Sequence, residues 1–200
     1  MTKIKMCGMC SERDIEYSNI VLPEYVGYIF VKRSRRYITP DTAAVFTGIL
    51  DKRIIPVGVF INEDIDLISK LVKNGTIMQI QLHGTENEKY IADLRECVNV
   101  PVIKAFKIKS SKEIQSAKIS SADIVLLDSG EGSGELFDHS VLTSFNRPYF
   151  LAGGLNPNNI DGILKKLSPY AVDVSSGIET DGKKDLKKMR AFADAVRRKI

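Results

Sequence analysis

Eight apolar runs of strand length recur along the chain, and helix-like patterns separate most of them. The runs predict strands at 3–7, 26–31, 54–60, 76–82, 101–107, 123–128, 148–152 and 170–174. Strands that alternate with helices favour a parallel sheet, and eight such units favour closure of that sheet into a barrel. The sequence therefore predicts an α/β fold, a single (β/α)8 TIM barrel formed by residues 1–200.

Amphipathic stretches fill most of the connections between these runs. They predict helices at 40–51, 63–73, 86–97, 157–167 and 185–199. The stretch 111–119 is weakly patterned and is predicted as either a fifth helix or a loop, and 11–23 shows little helical pattern. No linker or low-complexity run interrupts the chain, so one domain is expected.

Composition sets limits on the partners of this chain. Its formal net charge of +4 suits an anionic small molecule but is too mild to argue for nucleic acid. No apolar stretch reaches the length of a membrane span, and Lys3 and Lys5 interrupt the first apolar residues. We expect a cytoplasmic protein with a small-molecule substrate and with neither nucleic acid nor membrane as a partner. The sequence leaves open whether the protein is a monomer or a homodimer.

The three cysteines are too few, and odd in number, for a disulfide framework. Cys7 and Cys10 form a C-x-x-C motif, which also occurs in redox pairs and in half of a zinc site. The chain has no second motif of this kind, so no metal site is predicted. Cys10 and Cys97 are interpreted as small packing residues.

A glycine-rich turn late in the chain is typical of a phosphate site. Residues 149–159 run from an apolar stretch into Gly153 and Gly154. Asn156 and Pro157 then have the residue types of a helix N-cap and first turn, and so predict that a helix opens there. The exposed N–H groups of such a turn and the positive end of a helix favour an anion.

A second turn with the same plan follows at 170–179. A short buried strand leads into the small residues Ser175, Ser176 and Gly177. Barrels of eight βα units commonly hold phosphate in the loops after strands seven and eight, and these two turns occupy those positions.

Strand alternation predicts which side chains face the barrel interior. Lys5 and Cys7 point inward from strand one, Asp128 from strand six and Asp173 from strand eight. Strands one and eight are neighbours in a closed barrel. Lys5 and Asp173 are therefore predicted to pair, which makes burial of either charge tolerable.

The C-terminal ends of the strands carry reactive groups in barrels of this type. Here they carry Cys7, the basic cluster 32–36, His83 and Asp128. A thiol and a carboxylic acid on opposite walls can divide general-base and general-acid duties, and an arginine can hold a carboxylate in a bidentate grip. Each residue also has an ordinary structural explanation, in packing, in a turn or on a solvated face. The residues alone thus predict a phosphate-binding barrel enzyme and leave its reaction open.

A set of short motifs, which follow one another in a fixed order along the chain, indicates a more specific function. They are KMCG at 5–8, F-x-x-x-S-x-R-Y-I at 30–38, VGVFIN at 57–62, QLHG at 81–84, LLDS at 126–129 with GSGELFD at 132–138, LAGGLNPNN at 151–159, and VDVSSGIE at 172–179 with GKKD at 182–185. Together they resemble the phosphoribosylanthranilate isomerase family of tryptophan biosynthesis over 3–185. No single motif is specific, whereas the ordered set is.

The resemblance implies a role for each matched residue. It implies that Cys7 is the general base, that Asp128 is the general acid and that Arg36 holds the anthranilate carboxylate. His83 and Asp173 are further possible site residues. The phosphate is implied to rest on backbone amides of Gly132, Ser133, Gly134, Gly153, Gly154, Ser176 and Gly177.

The implied reaction is an Amadori rearrangement of N-(5-phosphoribosyl)anthranilate to 1-(2-carboxyphenylamino)-1-deoxyribulose 5-phosphate. No metal or organic cofactor is implied, because the iminium intermediate itself accepts the electrons. Near neutral pH this chemistry asks for a pKa of Cys7 below, and of Asp128 above, the ordinary values.

Two other functions are alternatives for a barrel with these phosphate turns. A related phosphoribosyl isomerase of histidine biosynthesis performs the same rearrangement, but that family typically has an aspartate where this chain has Cys7. A non-catalytic phosphate-binding barrel would keep the two glycine turns without needing Cys7 or Asp128.

Overall fold

A computed structural model of the protein describes residues 1–129 and 145–198. Eight parallel strands close into a barrel in chain order, and the eighth strand pairs with the first. The strands are β1 Lys3–Cys7, β2 Tyr25–Ile29, β3 Ile55–Phe60, β4 Gln79–Leu82, β5 Val102–Lys107, β6 Ile124–Asp128, β7 Tyr149–Ala152 and β8 Ala171–Val174. The predicted TIM barrel is confirmed.

Helices cover the outside of the barrel. They are α1 Glu12–Val21, α2 Pro40–Ile49, α3 Ile65–Lys73, α4 Glu88–Cys97, α5 Ser111–Ile119, α6 Ile160–Leu164 and α7 Leu186–Arg197. Within the described ranges, none of them is long and apolar enough to cross a membrane.

The core has two parts because strand side chains alternate. Residues that point outward, such as Ile4 and Met6, join the helices in one large buried cluster. Residues that point inward, such as Leu126 and Phe150, form a smaller cluster inside the barrel. The inward-pointing positions nearer the C-terminal ends of the strands are occupied by polar side chains, such as Asp128 two residues after Leu126.

The weakly patterned stretch 111–119 is a helix, α5. A capping box begins it: the Ser110 side chain accepts from the amides of the first turn, and the Glu113 carboxylate accepts from the Ser110 backbone N–H at 2.7 Å. Two reciprocal hydrogen bonds at an N-terminus stabilise a helix that its apolar periodicity alone would not specify.

Several predicted boundaries differ from the observed ones, and two elements differ by three residues at a boundary. Strand four begins at Gln79 and not at residue 76, because Ile77 donates its N–H back to Leu71 of α3 at 3.2 Å and so still belongs to the turn that ends that helix. The helix predicted at 157–167 spans Ile160–Leu164 with Asn159 as N-cap. Asn156 instead accepts from the Asn158 and Asn159 amides at 2.9 and 3.2 Å, which forms a separate turn before α6.

A hairpin that the sequence pattern did not predict follows β8. A 3₁₀ turn at Ser176–Ile178 leads into β9 (Glu179–Thr180), which pairs antiparallel with β10 (Lys183–Lys184). Asp181 and Gly182 join them with positive φ angles of 51° and 76°, as two-residue hairpin turns require. The hairpin places Glu179 and Lys184 beside the C-terminal end of the barrel.

Candidate active site

A cavity of about 580 Å³ opens at the C-terminal ends of the strands. Its walls include Cys7, His83, Asp128, Gly153, Asp173 and Ser176, which come from five different strand ends. This volume is in the range that binds drug-sized or metabolite-sized ligands. The barrel therefore brings together most of the side chains that the sequence singled out.

Cys7 ends β1 and is 7% exposed. It lies opposite Gly27 of β2 in the parallel register, and a Cβ at Gly27 would come within 2.6 Å of the Cys7 sulfur. Only glycine leaves room for the thiol at this point. Gly27 is therefore part of the site, although no pattern in the sequence marks it.

The predicted pair of Lys5 and Asp173 is confirmed. The Lys5 ammonium lies 3.0 Å from each carboxylate oxygen, and the Lys5 side chain is fully buried. Burial raises the pKa of Asp173, and the Lys5 ammonium opposes this rise. The bidentate contact supplies the charge compensation that makes burial of both groups tolerable.

The same ammonium acts on Cys7. Burial raises the pKa of the Cys7 thiol, Lys5 lowers it by its charge and by a hydrogen bond, and Asp173 raises it. The net direction is upward, which is opposite to the shift that a base near neutral pH requires. Formation of the thiolate therefore depends on Lys5, the strongest of the groups that favour it.

Asp128 ends β6 on another wall of the cavity, and His83 faces it. His83 Nε2 lies 3.6 Å from Asp128 Oδ2, and His83 Nδ1 lies 2.8 Å from Gln81 Nε2. With the Gln81 amide donating to Nδ1, the neutral imidazole carries its proton on Nε2, toward Asp128. His83 thus faces the Asp128 carboxyl at a distance slightly longer than a hydrogen bond.

Arg36 lies at the edge of the cavity and is not among the residues that line it, whereas Arg33 and Ser34 are. Its side chain crosses the end of β1, where its Cδ takes the space that a Cβ of Gly8 would fill. Gly8 also has a φ of +80°, which favours glycine. Gly8, the residue after Cys7, thus leaves the space in which the Arg36 side chain lies beside the end of β1.

Residues of the two glycine turns also line the cavity. Gly153 and Gly154 have φ angles of 104° and 60°. The Gly154 carbonyl accepts from the side-chain Nδ2 groups of Asn156 and Asn159 at 3.2 and 2.9 Å. These bonds fix the turn, which lines the cavity. Gly132, Ser133 and Gly134 lie outside the described residues.

The turn after β8 is fixed to β1. The Ser175 hydroxyl donates to the Cys7 carbonyl at 3.0 Å. A Cβ at Gly177 would overlap the Leu155 carbonyl, so glycine is required where the two turns meet. The strand that carries the candidate base and the candidate phosphate turn are therefore joined by a direct hydrogen bond.

Residues 1–129 and 145–198 contain no group of three or more His, Cys, Asp or Glu side chains that could hold a metal ion. Cys10 is exposed while Cys7 is buried.

Comparison with known proteins shows a consistent pattern. The family model described as N-(5'-phosphoribosyl)anthranilate (PRA) isomerase matches residues 4–195. The N-(5'-phosphoribosyl)anthranilate isomerase of Endomicrobium trichonymphae is 46% identical over 194 residues, which cover 94% of this chain and 95% of that protein.

Solved structures agree with this match. Phosphoribosyl anthranilate isomerase from Thermotoga maritima superimposes with a TM-score of 0.91 at 32% identity, covering 98% of this chain and 99% of that one. A phosphoribosyl anthranilate isomerase in complex with reduced 1-(o-carboxyphenylamino)-1-deoxyribulose 5-phosphate superimposes with a TM-score of 0.88 at 31% identity, with the same coverage. The similarity extends over the whole barrel.

Proposed function

The chain belongs to the N-(5'-phosphoribosyl)anthranilate isomerase family, and from this premise and the geometry of the cavity we propose a role for each reactive side chain. The protein is an isomerase of tryptophan biosynthesis that converts N-(5-phosphoribosyl)anthranilate to 1-(2-carboxyphenylamino)-1-deoxyribulose 5-phosphate. We infer that residues 1–200 act as one catalytic domain, since the site draws on both the first and the last strand of the barrel.

Asp128 is the general acid in this proposal. It protonates the ring oxygen of the ribose, and the C1′–O bond breaks as the nitrogen lone pair forms the iminium. His83 Nε2 faces this carboxyl across a distance of 3.6 Å. The observation that carries the assignment is that Asp128 and Cys7 end different strands and line the same cavity.

Cys7 is the general base. As thiolate it takes the proton from C2′, the C–H electrons form the C1′–C2′ double bond, and the iminium nitrogen accepts the displaced pair. The resulting enolamine takes a proton at C1′ and releases one from the C2′ hydroxyl to give the ketone. Lys5 supports the thiolate, and Asp173 holds Lys5.

Arg36 receives the anthranilate carboxylate, and the amides of Gly153, Gly154, Ser176 and Gly177 receive the phosphate. Gly132, Ser133 and Gly134 are assigned to the phosphate by the family resemblance. The two anionic groups of the substrate then have separate binding groups, and the reacting carbons lie between these two anionic groups.

Steady-state turnover of freshly generated N-(5-phosphoribosyl)anthranilate tests these roles. Cys7→Ser and Asp128→Asn should each lower kcat by at least about a hundredfold, the size of a lost acid–base role. Both should still bind the reduced product analogue. Cys97→Ser, which changes an exposed thiol, should match wild type. Turnover that survives Cys7→Ser would move the base elsewhere, with Asp173 the next residue to test.

We also propose a cytoplasmic enzyme that is a monomer or a homodimer. Sedimentation equilibrium across a range of protein concentrations distinguishes the two assemblies. A mass above that of two chains would contradict both.

A further inference from the structure

Glu179 is not among the residues that line the cavity, but it forms ion pairs with basic side chains beside it. Its side chain is 4% exposed and receives three cationic side chains, those of Arg35, Arg36 and Lys184. It is the first residue of β9, directly after the 3₁₀ turn that carries the candidate phosphate amides. A carboxylate buried among so many donors is strongly constrained in position.

The contact with Arg36 is bidentate. Arg36 Nε lies 2.6 Å from Oε1, and Nη2 lies 2.9 Å from Oε2. A guanidinium has five N–H donors in one plane, so this side-on contact uses two of them and fixes the plane. The edge formed by Nη1 and the remaining Nη2 hydrogen is left for a second carboxylate.

The charges around Glu179 do not balance. Three cations contact one carboxylate, and although Arg35 is 55% exposed and screened by solvent, the Arg36 and Lys184 side chains are only 17% and 1% exposed. Burial opposes ionisation of Glu179, but the bonds from Arg36 and Lys184 prevail and lower its pKa to about 2. Glu179 is thus an anion at neutral pH, and the excess positive charge favours a further anion nearby.

Lys184 connects the same carboxylate to the rest of the site. Its ammonium lies 2.8 Å from Glu179 Oε1 and 3.0 Å from the Ser175 carbonyl. Ser175 in turn is bonded to the Cys7 carbonyl. The network therefore fixes Arg36 relative to both the thiol and the phosphate turn.

We propose that Glu179 is a positioning residue for Arg36, holding the guanidinium so that its free edge receives the carboxylate of the anthranilate ring. The inference rests on the proposed function of Arg36. Glu179 touches no substrate atom in this arrangement, and it acts on carboxylate recognition and not on proton transfer.

A pair of probes tests the proposal: the reduced product analogue, which carries the ring carboxylate, and its phenylamino counterpart, which lacks it. Glu179→Gln keeps the shape of the side chain but removes its charge and turns an amide donor toward a cation. It should weaken binding of the carboxylate probe about ten- to hundredfold, the size of a charge-assisted hydrogen bond. Binding of the carboxylate-free probe should change less than about threefold, and in turnover KM should rise while kcat stays within about threefold of wild type.

Matched variants separate the possible failures. Asp51→Asn removes an equally bidentate contact with Arg53 at the other end of the barrel and should leave both probes unaffected. In an Arg36→Ala background, Glu179→Gln should cause no further loss of discrimination between the probes. If Arg36→Ala still discriminates, the assignment of Arg36 fails, irrespective of Glu179.

Equal weakening of both probes by Glu179→Gln, or no weakening, would overturn the positioning role. Binding of the carboxylate-free probe reports that the variant site is folded. Should Glu179→Gln not fold, Glu179→Asp provides the same test, because it keeps the charge but its shorter side chain cannot maintain both contacts. An unchanged preference for the carboxylate probe in Glu179→Asp would overturn the proposal.

Discussion

At the scale of single residues, the site depends as much on absent side chains as on present ones. Gly27 leaves the space that the Cys7 sulfur occupies, and Gly8 leaves the space for the Arg36 side chain. Neither glycine carries chemistry. Both decide where a reactive group lies.

Gly27→Ala should lower kcat by about a hundredfold, because its Cβ would meet the Cys7 sulfur at 2.6 Å and push the thiol from its place. Gly48→Ala, in α2, is a matched control, since nothing lies within 4 Å of its added Cβ. Steady-state kinetics of the two variants make the comparison. Wild-type kcat in Gly27→Ala would show that the thiol's position tolerates crowding.

The raised pKa of Cys7 gives a pH-dependent prediction. Only the thiolate is alkylated, so in a Cys10→Ser, Cys97→Ser background the rate of iodoacetamide modification should rise with pH through a midpoint above the ordinary value of about 8.5. Replacing the pair by Lys5→Met with Asp173→Asn should move the midpoint further up. This is because the lowering effect of Lys5 exceeds the raising effect of Asp173. A midpoint below about 8.5 would contradict the direction derived from burial.

At the scale of elements, the N-terminus of α7 holds the hairpin that carries Glu179. The Asp185 carboxylate accepts from the amides of Lys187 and Lys188 at 2.8 and 3.2 Å and from the Thr180 hydroxyl at 2.7 Å. One side chain thus caps the helix and ties it to β9.

Asp185→Ala should lower the free energy of unfolding by about 1–2 kcal/mol, the usual cost of losing an N-cap. Asp185→Asn should keep most of the stability that the cap provides, because asparagine is also a good N-cap residue. The hydrogen bond from Thr180 is the largest cause of a lowered pKa of Asp185. The cap's charge-dependent contribution is therefore present at neutral pH and disappears as the pH falls through that lowered value. Urea unfolding of both variants, with the exposed Asp194→Ala as control, measures the effect. Equal stability of Asp185→Ala and wild type would contradict it.

Sequence alone could predict the elements whose pattern repeats over several residues. Alternation along the strands placed Lys5, Cys7 and Asp173 on the inner face, and the contact of Lys5 with Asp173 follows from closure of the barrel. The hairpin after β8 was missed because strands of two residues have no periodicity to detect. The link from Glu179 to Arg36 spans 143 positions, and only the fold brings the two residues together.

At the scale of the whole molecule, closure of the barrel makes the site. Cys7 and Asp173 come from opposite ends of the chain, so neither the thiol nor its supporting pair is in place until β8 pairs with β1. The outer layer closes in the same way, because α7 packs against α1. Contacts between these two helices should therefore influence the stability of the entire fold.

Arg197 of α7 makes part of this contact. Its Nη1 donates to the Val21 carbonyl at 3.0 Å and its Nη2 to the Leu22 carbonyl at 2.5 Å, where α1 ends. Leu22 has a positive φ of 55°, so α1 ends in a strained residue whose carbonyl Arg197 satisfies. A cation at a helix C-terminus also interacts favourably with the helix dipole.

Arg197→Met keeps the length of the apolar stem but removes both hydrogen bonds, and should lower the free energy of unfolding by about 1–3 kcal/mol. Arg190→Met is the matched control, because it makes the same change at an exposed position of the same helix. Since the contact joins the two ends of one cooperative barrel, urea unfolding of Arg197→Met should remain a single transition with a lower midpoint and an unchanged slope. A separate early transition would show instead that α7 detaches by itself while the barrel stays closed.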